Sequence, residues 1–259
     1  MDEQEASFAI YPVLPDETQL ENGNPTMIDL HFAPTPNGLK ARLYLEEAEL
    51  PYRVVRVNLG KGEQHSAEHL AISPNAKIPA IVDHAPQDGG AALAVFESGA
   101  ILLYLAEKTG RFLPTATRER IDVLQWVFWQ VSGLGPMAGQ IGHFNVFAPE
   151  PVPYAIDRYT RELARLYGVL DRRLEGREFL AGDYSIADIA CYPWIVPHCP
   201  HGQHLDEFPN LKRWFETISR RPATRATYDG VTDVYSKTTP LSDEARRALF
   251  GRPTTNGAS

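Results

Sequence analysis

The chain has 259 residues, of which 43% are hydrophobic, and it carries a formal net charge of −8 and two cysteines. This length and apolar content suit one large domain or two small ones with a sizeable core. The negative charge argues against nucleic acid or an anionic membrane as the main partner, and two cysteines are too few for a disulfide framework.

Further features exclude other classes of protein. The longest apolar run, residues 99–106, is far shorter than the ~20 residues of a membrane span. The acidic start M-D-E-Q-E differs from a basic secretory signal, and the sequence has no CxxC, HExxH, P-loop or GxGxxG motif. We therefore expect a cytoplasmic protein that needs no metal and binds neither membrane nor nucleic acid.

The N-terminal part of the chain predicts an extension followed by an α/β unit. Residues 1–26 have no clear period and contain three prolines, so we interpret them as an irregular N-terminal extension. Patterning then predicts, in order, a strand at 27–32, a helix at 36–48, a strand at 53–59, a short helix at 67–72, strands at 77–83 and 92–96, and a helix at 97–108. This order is typical of a mixed α/β domain, here residues 27–110.

The segment A-P-T-P-N-G joins the first strand to the first helix through a tight turn. Thr35 is placed as the helix N-cap and Pro36 as the first helical residue. Unpaired N–H groups and the helix dipole favour an anion at this point, and Thr35 and Asn37 add side-chain donors. An ordinary capped helix without a ligand is the alternative interpretation.

Two later segments suggest further binding positions. Pro79 interrupts a strand pattern, which predicts a bent strand entry, for instance with a cis peptide bond after Ile78. The backbone of Ile78 would then be free to pair with an extended ligand. Glu97 and Ser98 begin a helix, where Ser98 can bind a carboxylate and Glu97 an ammonium group. An edge-strand proline and a plain helix cap are the alternatives.

The second half of the chain is predicted to be all helical. Residues 111–117 form a linker, and residues 118–228 form the helical domain, with a long first segment at 118–147 kinked at G-L-G-P. Ser185 and Asp188 form a capping box, which we interpret as structural. Residues 229–259 form a tail with little apolar content, partly disordered at 253–259.

Together these segments resemble the glutathione transferase superfamily over about residues 27–228. The resemblance rests on K-I-P-A-I, F-E-S-G-A-I-L-L-Y-L-A-E-K and Y-S-I-A-D-I-A. The variants A-P-T-P-N-G, L-Q-W-V-F-W-Q, H-F-N-V-F-A-P and P-Y-A-I-D-R-Y are similar to the nu class, the YfcG and YghU group. The resemblance implies an α/β plus all-α fold, in which a thioredoxin-like domain with a four-stranded mixed sheet precedes a helical-bundle domain.

The resemblance also implies roles for residues around the glutathione sulfur. Thr35 and Asn37 match the catalytic positions that face the sulfur. Ile78 matches the residue whose backbone pairs with the cysteinyl unit, ahead of a cis proline at Pro79.

Other positions match residues at the ends of glutathione. Gln64 and Lys77 match positions near the glycyl end, and Glu97 and Ser98 match the pair that holds the γ-glutamyl end. Arg158 matches a residue that helps to hold a second glutathione, so the resemblance implies up to two glutathione molecules per site as co-substrates.

The resulting expectation is a homodimeric, glutathione-dependent disulfide-bond reductase. The apolar character of residues 100–106 on every helix face agrees with a second subunit. A conventional transferase that conjugates carbon electrophiles uses the same thiolate and remains open. So does a non-catalytic glutathione-binding or regulatory protein. The extension, the tail and residues 200–204 depart from the group's pattern.

The two cysteines are predicted to be catalytically inert. Cys191 and Cys199 lie in the helical domain, whereas the turn after the first strand, where a thioredoxin-like reductase carries its cysteine, has no sulfur. We expect both thiols to be buried and unpaired.

Overall fold

The computed structural model describes residues 27–231 and 242–251. The predicted extension at 1–26 and parts of the tail after residue 228 lie outside these described residues. Within them, one sheet has the strand order β2-β1-β3-β4 and is built from β1 (Ile28–Phe32), β2 (Tyr52–Arg56), β3 (Ala80–Asp83) and β4 (Leu93–Phe96). β1 is parallel to β2, and the β1–β3 and β3–β4 pairs are antiparallel.

Three helices belong to the sheet unit: α1 (Pro36–Ala48), α2 (Ala67–Ile72) and α3 (Ser98–Thr109). Side chains alternate along β1, so that Ile28, Leu30 and Phe32 are buried in the core. α1 and α3 pack against each other, and their apolar side chains join this core. The predicted four-stranded mixed α/β domain is therefore confirmed.

The remaining described helices form the C-terminal domain and part of the tail: α4 (Thr117–Trp129), α5 (Gly135–Gly142), α6 (Pro153–Arg173), α7 (Ile186–Ile195), α8 (Pro209–Ser219), α9 (Pro222–Tyr228) and α10 (Asp243–Phe250). The long segment predicted at 118–147 is interrupted by π-helical turns at Gln130–Leu134 and His143–Phe147. The first of them ends just before Pro136, which has no N–H to continue an α-helical ladder.

The helical domain and the sheet unit share one hydrophobic core, because α1 packs against α7 and α9. At the edge of this contact Arg221 forms a bidentate ion pair with the buried Glu47. Its Nε and Nη2 donate to the two carboxylate oxygens at 2.6 and 2.8 Å. Its guanidinium also lies over the ring of Tyr184. These contacts fix the position of α1 relative to the helical domain.

The predicted capping box at the start of α7 is confirmed. Ser185 is the N-cap, and the Asp188 carboxylate accepts a hydrogen bond from the Ser185 N–H at 3.1 Å. Asp188 also accepts from the Leu180 N–H at 3.0 Å and the Trp214 indole N–H at 2.8 Å. Asp188 therefore fixes three segments of the helical domain.

Two features of the structure differ from what the sequence predicted. The apolar segment 100–106 buries Ile101, Leu102, Leu105 and Ala106 in the chain's own core, so it does not by itself require a second subunit. Cys191 is buried in α7, as expected, but Cys199 lies in the exposed turn after that helix. Both are free thiols, and none of the described helices is long and apolar enough to cross a membrane.

α10 was not predicted from the sequence. Ser242 caps its start by accepting a hydrogen bond from the Ala245 N–H at 3.1 Å. Leu249 packs on Ala33, Val57 and Leu59 of the sheet unit. Arg246 donates to the Phe147 carbonyl of the helical domain at 2.5 Å. This helix therefore contacts both domains.

Candidate active site

The turn between β1 and α1 has the local structure that the sequence predicted. Thr35 has extended backbone angles, and its Oγ1 accepts a hydrogen bond from the Gly38 N–H at 3.2 Å, as an N-cap does. A Cβ atom at Gly38 would overlap the Ala33 carbonyl oxygen, so this tight turn needs a glycine at that position. Because Thr35 Oγ1 accepts from the backbone, its own hydrogen remains available to a ligand.

Asn37 is held by a residue of the helical domain. Trp194, on α7, donates its indole N–H to Asn37 Oδ1 at 3.0 Å. An indole nitrogen can only donate, so this contact fixes which end of the Asn37 amide faces Trp194. The Asn37 NH2 group is left to donate into the adjoining cavity, which Asn37 lines.

The segment before β3 presents unpaired backbone groups. The Ile78–Pro79 peptide bond is cis, as the strand interruption suggested. The Lys77 carbonyl accepts from Ser73 Oγ at 2.8 Å and lies 3.0 Å from His69 Nε2, which fixes the preceding residue. Within the described part of the chain, neither the N–H nor the C=O of Ile78 has a hydrogen-bond partner. These groups can pair with an extended ligand.

The start of α3 places a strained residue next to a buried one. Glu97 precedes the helix with φ +70°, a backbone conformation that is uncommon for a residue with a side chain. Its side chain is exposed, whereas Ser98 is buried. Ser98 Oγ accepts a hydrogen bond from Lys40 Nζ of α1 at 3.1 Å. The local strain therefore occurs beside the helix start that was predicted to bind a ligand.

These elements surround one cavity of about 250 Å³. Six of the nine sequence-predicted site residues line it: Asn37, Lys77, Ile78, Pro79, Glu97 and Ser98. Other polar and aromatic groups complete its wall, namely Ser73, Asn75 and Phe96. The cavity therefore joins a helix start, an unpaired stretch of backbone and a second helix start.

The other three predicted residues do not line this cavity. Thr35 lies beside it in the turn that carries Asn37. Gln64 is covered by α10: its Nε2 donates to the Ala248 carbonyl at 3.3 Å, and its buried Oε1 has no partner among the described residues. Arg158 is half exposed on α6 and forms an ion pair with Glu162 at 3.8 Å.

Sequence reasoning missed three residues of the site region. Trp194 orients Asn37, while Lys40 and Gln130 form a buried polar contact behind Ser98. No local pattern identifies these contacts, because each joins segments far apart in the sequence. Lys40 does not stand out in the sequence either, because α1 also buries the charged residues Arg42 and Glu47.

Family comparisons agree with this geometry. A model of the N-terminal domain of glutathione S-transferases matches residues 25–107, and a model of their C-terminal domain matches residues 134–222. The chain belongs to the glutathione S-transferase family, and its sheet unit is the thioredoxin-like domain of that fold.

Two individual relatives that are similar to this chain are named disulfide-bond oxidoreductases. The disulfide-bond oxidoreductase YfcG of Escherichia coli is 62% identical over 199 residues, which cover 76% of this chain and 93% of the relative. The disulfide-bond oxidoreductase YghU of the same organism is 38% identical over 213 residues, covering 76% of this chain and 73% of YghU.

Solved structures of similar fold contain glutathione. A glutathione transferase from Burkholderia graminis, with two glutathione molecules bound per subunit, has a TM-score of 0.75 and 42% identity, covering 81% of this chain and 90% of that one. One from Pseudomonas putida, with one glutathione disulfide per subunit, has a TM-score of 0.74 and 40% identity, covering 80% of this chain and 93% of that one.

Proposed function

We propose that the protein is a cytoplasmic, nu-class glutathione transferase that reduces disulfides with glutathione. The cavity carries this proposal, because it joins the Asn37 helix start, the unpaired Ile78 backbone and the Glu97–Ser98 helix start. Two relatives named as disulfide-bond oxidoreductases support the choice of reaction.

The lining residues suit an extended, zwitterionic tripeptide. Ser98 and the N-terminus of α3 would bind the γ-glutamyl carboxylate, and Glu97 would bind its ammonium group. The N–H and C=O of Ile78 would pair with the cysteinyl unit, ahead of Pro79. Lys77, which is exposed at the rim, would bind the glycyl carboxylate.

Thr35 and Asn37 would stabilise the glutathione thiolate. A free thiol has a pKa of about 8.5, and lowering it by ~2 units requires about 2.7 kcal/mol of selective stabilisation of the thiolate. Hydrogen bonds to a charged acceptor contribute about 1.5–3 kcal/mol each. The Thr35 hydroxyl, the Asn37 NH2 group and the α1 helix start therefore suffice together.

The reaction then follows thiol–disulfide exchange. The bound thiolate attacks one sulfur of the disulfide, forms a mixed disulfide with glutathione and expels the other half as a thiolate. A second glutathione thiolate attacks the mixed disulfide, which yields glutathione disulfide and releases the remaining half. The thiolates that leave take up the protons that the two glutathione thiols gave up.

Arg158 would help to hold this second glutathione. The structural relative with two glutathione molecules per subunit supports this part of the proposal. Gln64 would bind a glycyl end only after α10 has moved, since its amide is bonded to Ala248.

We also propose a homodimer, with exposed apolar side chains on β4 and α4 as its contact. Leu93 and Phe96 on β4 are 40% and 38% exposed, and Ile121 and Phe128 on α4 are 50% and 63% exposed. Sedimentation should give twice the chain mass of 28.9 kDa, and Phe128→Glu should give monomers. Tyr154→Glu, which changes an exposed side chain on α6, is the matched control and should remain dimeric.

Side-by-side kinetics test the function. As the two disulfide-bond oxidoreductases among the relatives suggest, the enzyme should reduce bis(2-hydroxyethyl) disulfide with glutathione at a kcat/KM at least about 100-fold above that for conjugation of 1-chloro-2,4-dinitrobenzene. Faster conjugation would favour the conventional transferase. Glutathione binding with neither activity would favour a regulatory protein.

A further inference from the structure

Lys40 is a buried amine behind the proposed γ-glutamyl position. Only 1% of its surface is exposed. Its Nζ donates to Ser98 Oγ at 3.1 Å and to Gln130 Oε1 at 2.5 Å. Lys40 takes part in no ion pair within the described residues. It is therefore a potential cation whose hydrogen-bond partners are neutral.

The charged and titratable groups around Lys40 do not neutralise it. Glu97, which precedes α3, acts on it electrostatically but is exposed, and it is the proposed partner of the ligand ammonium. Cys191 of α7 is the other neighbour, and burial raises the pKa of its thiol, so it stays neutral. Burial lowers the pKa of Lys40 to about 7. The Lys40 ammonium group therefore has no buried anionic partner among the described residues.

The hydrogen bond from Lys40 determines what Ser98 can offer a ligand. An ammonium group only donates, so Ser98 Oγ must accept from it. The single hydroxyl hydrogen of Ser98 is then left to point into the cavity that Ser98 lines. A neutral amine could instead accept this hydrogen, and Ser98 would lose its donor role.

We propose that Lys40 is a positioning residue that recognises the γ-glutamyl carboxylate through Ser98. It holds the Ser98 hydroxyl as a donor and supplies the positive charge that the ligand carboxylate completes. The inference rests on the proposed function, since it requires glutathione in the cavity. It assigns to α1 a second role besides carrying Asn37.

The proposal predicts that a proton is taken up when the ligand binds. The carboxylate favours the charged form of Lys40 and raises its pKa above the value in the free protein. Above pH 7 the free protein holds this proton only in part, so binding takes it up and the affinity falls as the pH rises. Burial lowers the pKa values of His31 and His143, so both are neutral at pH 8 and do not contribute there.

Calorimetry at pH 8 with S-methylglutathione tests this directly, because this ligand has no thiol proton to release. Titrations in buffers of different ionisation enthalpy give the number of protons taken up. The comparison ligand is the same compound with 4-aminobutyryl in place of γ-glutamyl, which keeps the ammonium group and lacks the carboxylate. The wild type should take up a proton with the first ligand and none with the second.

Lys40→Met supplies the second half of the test. It should weaken S-methylglutathione binding at least ten-fold, abolish proton uptake and change binding of the descarboxy ligand by less than two-fold. Lys108→Met is the control, because Lys108 is a partly buried lysine paired with Asp83 at 2.7 Å. This variant should lose stability without a change in either affinity.

Equal losses for both ligands would mean that Lys40 only supports packing, and the inference would be overturned. If Lys40→Met does not fold, the wild-type proton counts decide alone, and equal uptake with both ligands overturns the inference. A wild type that binds neither ligand would instead overturn the proposed function.

Discussion

The Trp194 indole N–H lies 3.0 Å from Asn37 Oδ1, so a residue of the helical domain orients the proposed sulfur donor on the first helix of the thioredoxin-like domain. Gly135 and Gly139 of α5 lie beside the same indole, where any Cβ would be within 3.4 and 3.6 Å of it. Both distances are ordinary van der Waals contacts, so the ring does not require a glycine at either position. The contact couples the packing between the domains to the geometry of the site.

We predict that Trp194→Phe lowers turnover more than glutathione affinity. Phenylalanine keeps most of the packing but has no donor, so the Asn37 amide is free to rotate and its NH2 is no longer directed at the sulfur. The expected loss in kcat is about ten-fold, equivalent to about 1.4 kcal/mol. Steady-state rates with a small disulfide measure it.

Two further variants test whether this loss of turnover comes from the Asn37 amide. Asn37→Asp keeps an acceptor for Trp194 but removes the NH2 donor, and should lose at least as much turnover as Trp194→Phe. Trp126→Phe, a half-buried tryptophan that packs on Arg173, is the matched control and should keep normal rates. Full activity in Asn37→Asp would remove Asn37 from the sulfur site.

Substitutions at Glu97 can separate the contribution of its carboxylate to ligand binding from the strain of its backbone. Glu97→Gly should raise the free energy of unfolding by up to about 1 kcal/mol, because glycine adopts a positive φ without strain. It should also weaken glutathione binding about ten-fold through loss of the carboxylate. Denaturation curves and calorimetry measure the two effects.

Glu97→Ala is the companion variant, since it loses the carboxylate but keeps the strained φ. We expect the same loss of affinity without the gain in stability. If glutathione binds normally to both variants, Glu97 is not the partner of the ligand ammonium.

Asp188 should stabilise the helical domain far more than a surface cap does. Asp188→Ala leaves the Leu180 N–H and the Trp214 indole buried without an acceptor, and we expect a loss of about 3 kcal/mol in the free energy of unfolding at pH 7. Urea denaturation measures this loss, with Ser242→Ala as a control at the cap of α10. Normal stability of Asp188→Ala would contradict the structural role of the capping box at the start of α7.

The same residue predicts a pH dependence. Burial raises the pKa of Asp188 to about 6, above the 3.8 expected for an unfolded chain, although its hydrogen bonds act in the opposite direction. The native state therefore keeps a proton that the unfolded state releases, and stability falls as the pH rises from about 4 to about 6. Relative to Asp188→Asn, which does not titrate, wild-type stability should fall by up to about 3 kcal/mol over this range.

Local signals explain what could be predicted from the sequence. The N-cap at Thr35, the capping box at Ser185 and the cis peptide bond before Pro79 are each encoded within about six residues, and all three are present. The order of strands and helices follows from periodicity for the same reason. The six predicted residues that share the cavity come from such segments.

Contacts over long sequence distances explain what was missed. Trp194 and Asn37 are 157 positions apart, and Lys40 and Gln130 are 90 apart, so no window of sequence reveals either pair. The apolar faces of α3 were attributed to a second subunit because the helices that cover them, α1 and α7, are both distant in the sequence. α10 was missed because it is only eight residues long in a tail of low apolar content, and its position depends on Leu59 and Phe147.

Removal of α10 should change the site. A chain that stops after Val231 uncovers Gln64, and we expect its glutathione affinity to rise a few-fold because the Gln64 amide is no longer bonded to Ala248. The same truncation with Gln64→Ala should lose this gain. Unchanged affinity in the truncated chain would mean that Gln64 does not bind glutathione.

The central claim is that all redox sulfur comes from glutathione, and the cysteine-free variant tests it most directly. Cys191 is buried, Cys199 is exposed in the turn after α7, and neither lines the cavity. We predict that Cys191→Ala/Cys199→Ser reduces bis(2-hydroxyethyl) disulfide with glutathione at a kcat within about three-fold of wild type. Loss of activity in a variant that still folds and binds glutathione would show that a protein thiol takes part, and would contradict the mechanism.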